Sequence, residues 1–164
     1  MIRNLFARSQ PDGDQPVAQR VLIASEGRRF NSEVIDLAVR MVRAQGGNAR
    51  VLTIARLWGT GFGLPNPGLR PSRREMAEQE ENVSWAIEQL ENAGVSADGH
   101  IVTTRNPRKS ILKEAKRQGC DAIIMGADAR RPWFIRGMMW SQEPYRVRAH
   151  TRIPVHLVCP TGRH

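Results

Sequence analysis

Cys120-Asp121-Ala122-Ile123-Ile124-Met125-Gly126 is the stretch on which the reading of the fold turns. Ala122 to Met125 is a short apolar run closed by a glycine. A run without polar alternation suits a strand buried on both faces, as in parallel sheets. Just upstream, Asn106-Pro107 opens a helix, with Pro in the first turn where its missing N–H costs nothing. Ile111, Leu112 and Ala115 give that helix an inward face, and Gln118-Gly119 closes it. A helix delivering a buried strand is half of a βαβ unit.

Working outward, the same alternation recurs. Val21-Leu22-Ile23-Ala24 is another continuous apolar run, ending at Ser25-Glu26-Gly27. Asn31-Ser32-Glu33 signals a helix start. Val34, Ile35, Ala38, Val39 and Val42 follow at helical spacing, and Gly46-Gly47 stops the helix. Val51 to Ile54 reads as the second strand. Ser72 with Glu75 suits a capping box for a helix with Met76, Val83, Ile87 and Leu90 on its stripe. Gly99 to Thr104 reads as the third strand and Pro154 to Val158 as the fifth, with a helix over Tyr145 to His150 between the fourth and fifth. Strands alternating with helices predict an α/β fold, a doubly wound five-stranded parallel sheet with helices on both faces. Ligands in such sheets bind at the carboxyl ends of the strands, where the winding reverses.

The remaining segments bound the domain. Residues 1–19 read as a flexible N-terminal extension, because Ser9 to Pro16 is rich in Pro, Asp, Gly and Gln. The domain is expected over residues 20–164, a length that suits one core. Leu57 to Pro71 is a Gly/Pro-rich loop, and loops of this length in compact domains are usually functional or disordered.

Composition excludes several classes. Cys120 and Cys159 show no ligand or redox spacing, so neither a disulfide framework nor a zinc site is expected. The patch formed by Ile2, Leu5 and Phe6 is broken by Arg3 and is too short for a signal peptide. No apolar run approaches the roughly 20 residues that span a bilayer. The expected compartment is the cytoplasm. A net charge of +9 invites an anionic partner. Much of it falls late in the chain, at Arg130, Arg131, Arg136, Arg146, Arg148, Arg152 and Arg163. No Ser-His-Asp set, paired carboxylates or Walker lysine loop is evident, and no catalytic or metal-ligating residue is assigned.

Three segments together resemble the universal stress protein family: Val21 to Gly27, Asn106 through Gly126, and Arg152-Ile153-Pro154-Val155. The resemblance spans roughly Arg20 to Pro160. It implies strand order 3-2-1-4-5, and therefore a crevice between the first and fourth strands. It also implies a regulatory or stress-response module, with ATP or another adenine nucleotide in that crevice and Mg accompanying it if bound. Homodimers paired through the last strand are implied as well, here over Val155 to Val158. The residues placed at the nucleotide are Ala24, Ser25, Glu26, Gly27, Ile54, Met125, Gly126, Asp128, Arg130 and Ser141. Ile54 would meet adenine through its backbone.

The family's ATP binders carry Gly-x-x-Gly, nine further residues, then Gly-Ser or Gly-Thr. Glycines let backbone N–H groups approach phosphates, and the hydroxyl adds a donor. This chain has Ala129 at the second glycine. The closing pair falls at Met139-Trp140, or at Ser141-Gln142 when counted back from Pro154. Glu26 stands where the family has Asp. Arg130, Arg131 and Arg136 could replace lost backbone contacts with charge-assisted bonds. The competing reading is a crevice filled by its own side chains. In that case the protein docks without nucleotide on a protein, a nucleic acid or an anionic membrane surface, using its Arg-rich, aromatic C-terminal half, which includes Arg131 to Trp140.

Overall fold

The computed structural model describes residues 16–56, 71–128 and 142–160. The elements, in chain order, are β1 (Arg20–Ser25), α1 (Ser32–Arg43), β2 (Asn48–Arg56), α2 (Arg73–Asn92), β3 (Ala97–Thr104), α3 (Pro107–Arg117), β4 (Ala122–Gly126), α4 (Glu143–Ala149) and β5 (Val155–Val158). All four strand pairings are parallel, in the order β3-β2-β1-β4-β5.

The two central runs are apolar throughout because both of their faces are covered. In β1, Val21 and Ile23 turn toward α1 and α2, while Leu22 and Ala24 join the core on the opposite face. β4 repeats this, with Ala122 and Ile124 on the first face and Ile123 and Met125 on the second. The period of two follows from the pleat. On the first face the helices contribute Val34, Ile35, Ala38 and Val42 from α1, with Val83, Ala86 and Leu90 from α2. On the second, α3 contributes Ile111 and Ala115, and α4 contributes Val147. Ala18, ahead of β1, is buried too, and its N–H donates to the Met41 carbonyl.

Local chemistry sets the helix starts. Asn31 caps α1 by accepting from Val34 N, Ser72 caps α2 by accepting from Glu75 N, and Asn106 caps α3 by accepting from Lys109 N. The turn into β2 depends on Gly47. A Cβ there would fall 2.2 Å from the Gln19 carbonyl oxygen, which accepts from Asn48 N. Only glycine lets the two backbones meet so closely.

The chain winds outward from β1 to β2 and β3, then crosses back to β4 and β5. The winding therefore reverses between β1 and β4, as expected. The β1–β4 ladder ends at Ala24↔Met125. β4 runs on beside β5 to Gly126↔Val158, and Ala127 N donates to the Val158 carbonyl. Beyond Ala24 the two central strands part, and the crevice opens there.

Candidate functional site

β1 delivers Ser25, Glu26 and Gly27 to the mouth of this crevice. Gly27 has φ +123°, a conformation that side chains resist, and it turns the chain back after Glu26. The turn is held from several sides. Ser25 Oγ donates to the Arg28 carbonyl and accepts from Gly27 N at 3.1 Å. From α2, Gln79 Nε2 donates to the Gly27 carbonyl at 3.1 Å, while Gln79 Oε1 accepts from Thr53 Oγ1 at 2.6 Å. Asn82 Nδ2 donates to the Arg28 carbonyl at 3.1 Å and Asn82 Oδ1 accepts from Phe30 N at 2.9 Å.

The turn places Arg28 across the crevice. Its Nε donates to Glu26 Oε1 at 2.7 Å. Its Nη1 and Nη2 donate to Asp128 Oδ1 and Oδ2 at 3.4 and 3.1 Å. One guanidinium thus ties the end of β1 to the loop leaving β4. Its stem lies against Gly126, where a Cβ would sit 3.4 Å from Arg28 Cδ. Burial opposes the charge on Arg28, but Glu26 and Asp128 outweigh burial and hold the guanidinium above its ordinary pKa. Asp128 is anchored in turn, its carbonyl accepting from Tyr145 Oη of α4 at 2.6 Å.

The fold brings most of the expected residues together. Ala24, Ser25, Glu26 and Gly27 lie at the end of β1, and Met125, Gly126 and Asp128 at the end of β4. Ile54 is one residue past the Ser25↔Thr53 pair, so β2 outruns β1 at the mouth. The side chains of Ala24, Ile54 and Met125 are buried in the second core, which leaves them only backbone to offer a ligand. Arg130 and Ser141 lie outside the described residues, as do Arg131 to Trp140 and residues 57–70 of the Gly/Pro-rich loop.

Arg28, Gln79 and Asn82 were not expected. Gln79 and Asn82 did leave a signal: they occupy the helical spacing that Val83, Ala86 and Leu90 continue. A polar residue on a buried stripe needs a specific partner, and here the partner is the site's own turn. A separate groove between α1 and α2, about 460 Å³ in volume, is lined in part by Ile35, Val39, Arg43 and Gln89. Among the described residues no group of three His, Cys, Asp or Glu is placed to hold a metal ion. Among them, too, no helix is long and apolar enough to cross a membrane.

The sequence model of the universal stress protein family matches residues 18–158. Among solved structures, the chain is similar to the universal stress protein from Archaeoglobus fulgidus in complex with dAMP. Identity is 20% and TM-score 0.62, over 85% of this chain and 96% of that one. It is similar to UspA from Lactobacillus plantarum, at 15% identity and TM-score 0.64, over 87% and 98% of the two chains. A family protein from Arabidopsis thaliana with AMP bound is similar at 15% identity and TM-score 0.56, over 87% and 92%. A comparison with curated proteins gives no match. At these identities the structures establish the fold, and the family model, which spans most of the chain, establishes kinship. The chain belongs to the universal stress protein family.

Proposed function

We propose that the protein is a nucleotide-responsive regulatory module of the cytoplasm, with an adenine nucleotide bound where β1 and β4 part. The observation that carries this reading is the composition of the mouth. Glu26 and Asp128 face each other there across Arg28, whose stem lies against Gly126. Carboxylates accept from ribose hydroxyls, and the backbone of Ile54 at the overhanging end of β2 suits an adenine edge. The dAMP and AMP in the similar structures support this choice of ligand class. Ser25, Gly27 and Met125 complete the proposed lining. A triphosphate would bring Mg held largely by its own oxygens.

Among the described residues β5 is an edge strand, which supports pairing with a second copy. β5 bonds to β4 on one side, and Val155, His156, Leu157 and Val158 are all half-buried. In this reading, ligand occupancy changes the surface that the dimer offers a partner protein.

Calorimetric titration with ATP, ADP and AMP tests the proposal. Saturable binding of at least one of them is expected. Absence of heat up to millimolar ligand would sink it. That outcome favours the nucleotide-independent docking protein, for which the Arg28 bridge is simply a filled crevice.

A further inference from the structure

Resting on the nucleotide reading, we propose that Arg28 is a specificity-determining residue of the crevice. It supplies the phosphate-facing donors that the sequence loses at Ala129. The placement of Arg28 is built rather than incidental. Its carbonyl is held by Ser25 and Asn82, and the peptide before it is held by Gln79. Its side chain is fixed at both ends of the fork by carboxylates from two different strands' ends. Glu26, 3% exposed at its side chain, anchors it further, because moving the guanidinium away would break the 2.7 Å ion pair of a buried carboxylate. Arg28 therefore stays in place when a ligand enters.

A guanidinium carries five N–H groups, and the bonds to Glu26 and Asp128 use three. The fork is thus held between the ends of β1 and β4 and retains donor capacity. A donor fixed before the ligand arrives costs little to reorganise and binds an oxyanion with charge assistance. The charge balance makes the role specific. Glu26 and Asp128 alone would repel a phosphate, and Arg28 cancels one of the two charges. A neutral nucleoside feels neither effect strongly. Arg28 should accordingly govern the preference for AMP over adenosine rather than adenosine binding itself.

The experiment is calorimetric titration of AMP and adenosine into the unaltered protein and into Arg28→Ala and Arg28→Lys, with thermal unfolding run on each. In Arg28→Ala, AMP affinity should fall about tenfold or more, the scale of a lost charged hydrogen bond. Adenosine should hold within about threefold, well short of that loss. Arg28→Lys, which keeps the charge without the fork, should fall between. If Arg28→Ala does not fold, the Lys variant carries the test, with AMP weakened and adenosine retained. Tighter AMP binding in Arg28→Ala would make Arg28 a plug and overturn the proposal. Equal loss for both ligands would make it only a scaffold, and would overturn it too. Failure of the unaltered protein to bind either ligand would bring down the nucleotide reading itself, a result distinct from a change in the AMP-to-adenosine ratio.

Discussion

A carboxylate with 3% of its side chain exposed needs a cation in reach, and Glu26 finds one two residues along in Arg28. Glu26 was legible as a site residue because it ends an apolar run at a strand's carboxyl end. Arg28 was not, because its role depends on Gly27 taking φ +123° and on Asp128 arriving from a strand a hundred residues later. Sequence spacing contains neither fact. The two thiols also differ at this scale. Burial pushes Cys120 up to about 11, whereas Cys159 is exposed. A thiolate is the reactive form, so Cys120 should be slow. A thiol reagent at mildly alkaline pH should label one cysteine per folded chain quickly and the second only on unfolding. Cys159→Ser should remove the fast phase. Two fast thiols in the unaltered protein would contradict the burial assigned to Cys120.

At the scale of elements, the sequence reading held best where packing is apolar. It found β1, β4 and α1 close to their observed limits, because Val, Ile and Leu at periods of two and 3.6 carry those elements. It began β2 at Val51, three residues late, because Arg50 interrupts the run. The structure shows why a charge is tolerated there. Arg50 Nη1 donates to Asp98 Oδ2 at 2.6 Å, Arg50 Nε to Glu114 Oε1 at 3.2 Å, and Arg50 Nη2 to His100 Nδ1. β2, β3 and α3 are therefore joined by a polar cluster, to which Arg117 adds a bond to Glu114 Oε2 at 2.7 Å. Accepting from Arg50 requires Nδ1 of His100 to be bare. Burial and the Arg50 charge lower the His100 pKa from its usual 6.5.

The unfolded chain therefore takes up this proton first, so its contribution is complete above pH 6.5 and is lost as pH falls below it. His156, lowered by burial, acts in the same direction. Burial alone would raise Glu114, but Arg117, His100 and Arg50 outweigh it and hold it below 4.5. Glu114 therefore stabilises above that pH and loses its contribution on further acidification. Thermal unfolding across a pH series should show Tm falling from pH 6.5 toward 4.5. The slope should be shallower in His100→Gln. A Tm that rises over that interval, or an unchanged slope in the variant, would contradict this assignment.

For the whole molecule, alternation of strands and helices was enough to infer a doubly wound parallel sheet. It was not enough to order the strands, since a β-α-β chain can wind either way after each crossover. The order β3-β2-β1-β4-β5 came from the resemblance, and the pairings bear it out. That order places the crevice at the β1–β4 parting and gathers Ser25, Glu26, Gly27, Gly126 and Asp128 there. The chemistry of the mouth was legible only in part, because its principal cation comes from a turn rather than a motif. In the proposed function, ligand enters at this parting. Backbone amide NMR of the isotope-labelled protein during titration with AMP tests it most directly. Saturable shifts are expected at Ser25 to Arg28, Ile54, and Gly126 to Asp128, with Ile35, Val39 and Gln89 of the α1–α2 groove unmoved. Shifts confined to that groove, or none at any residue, would contradict it.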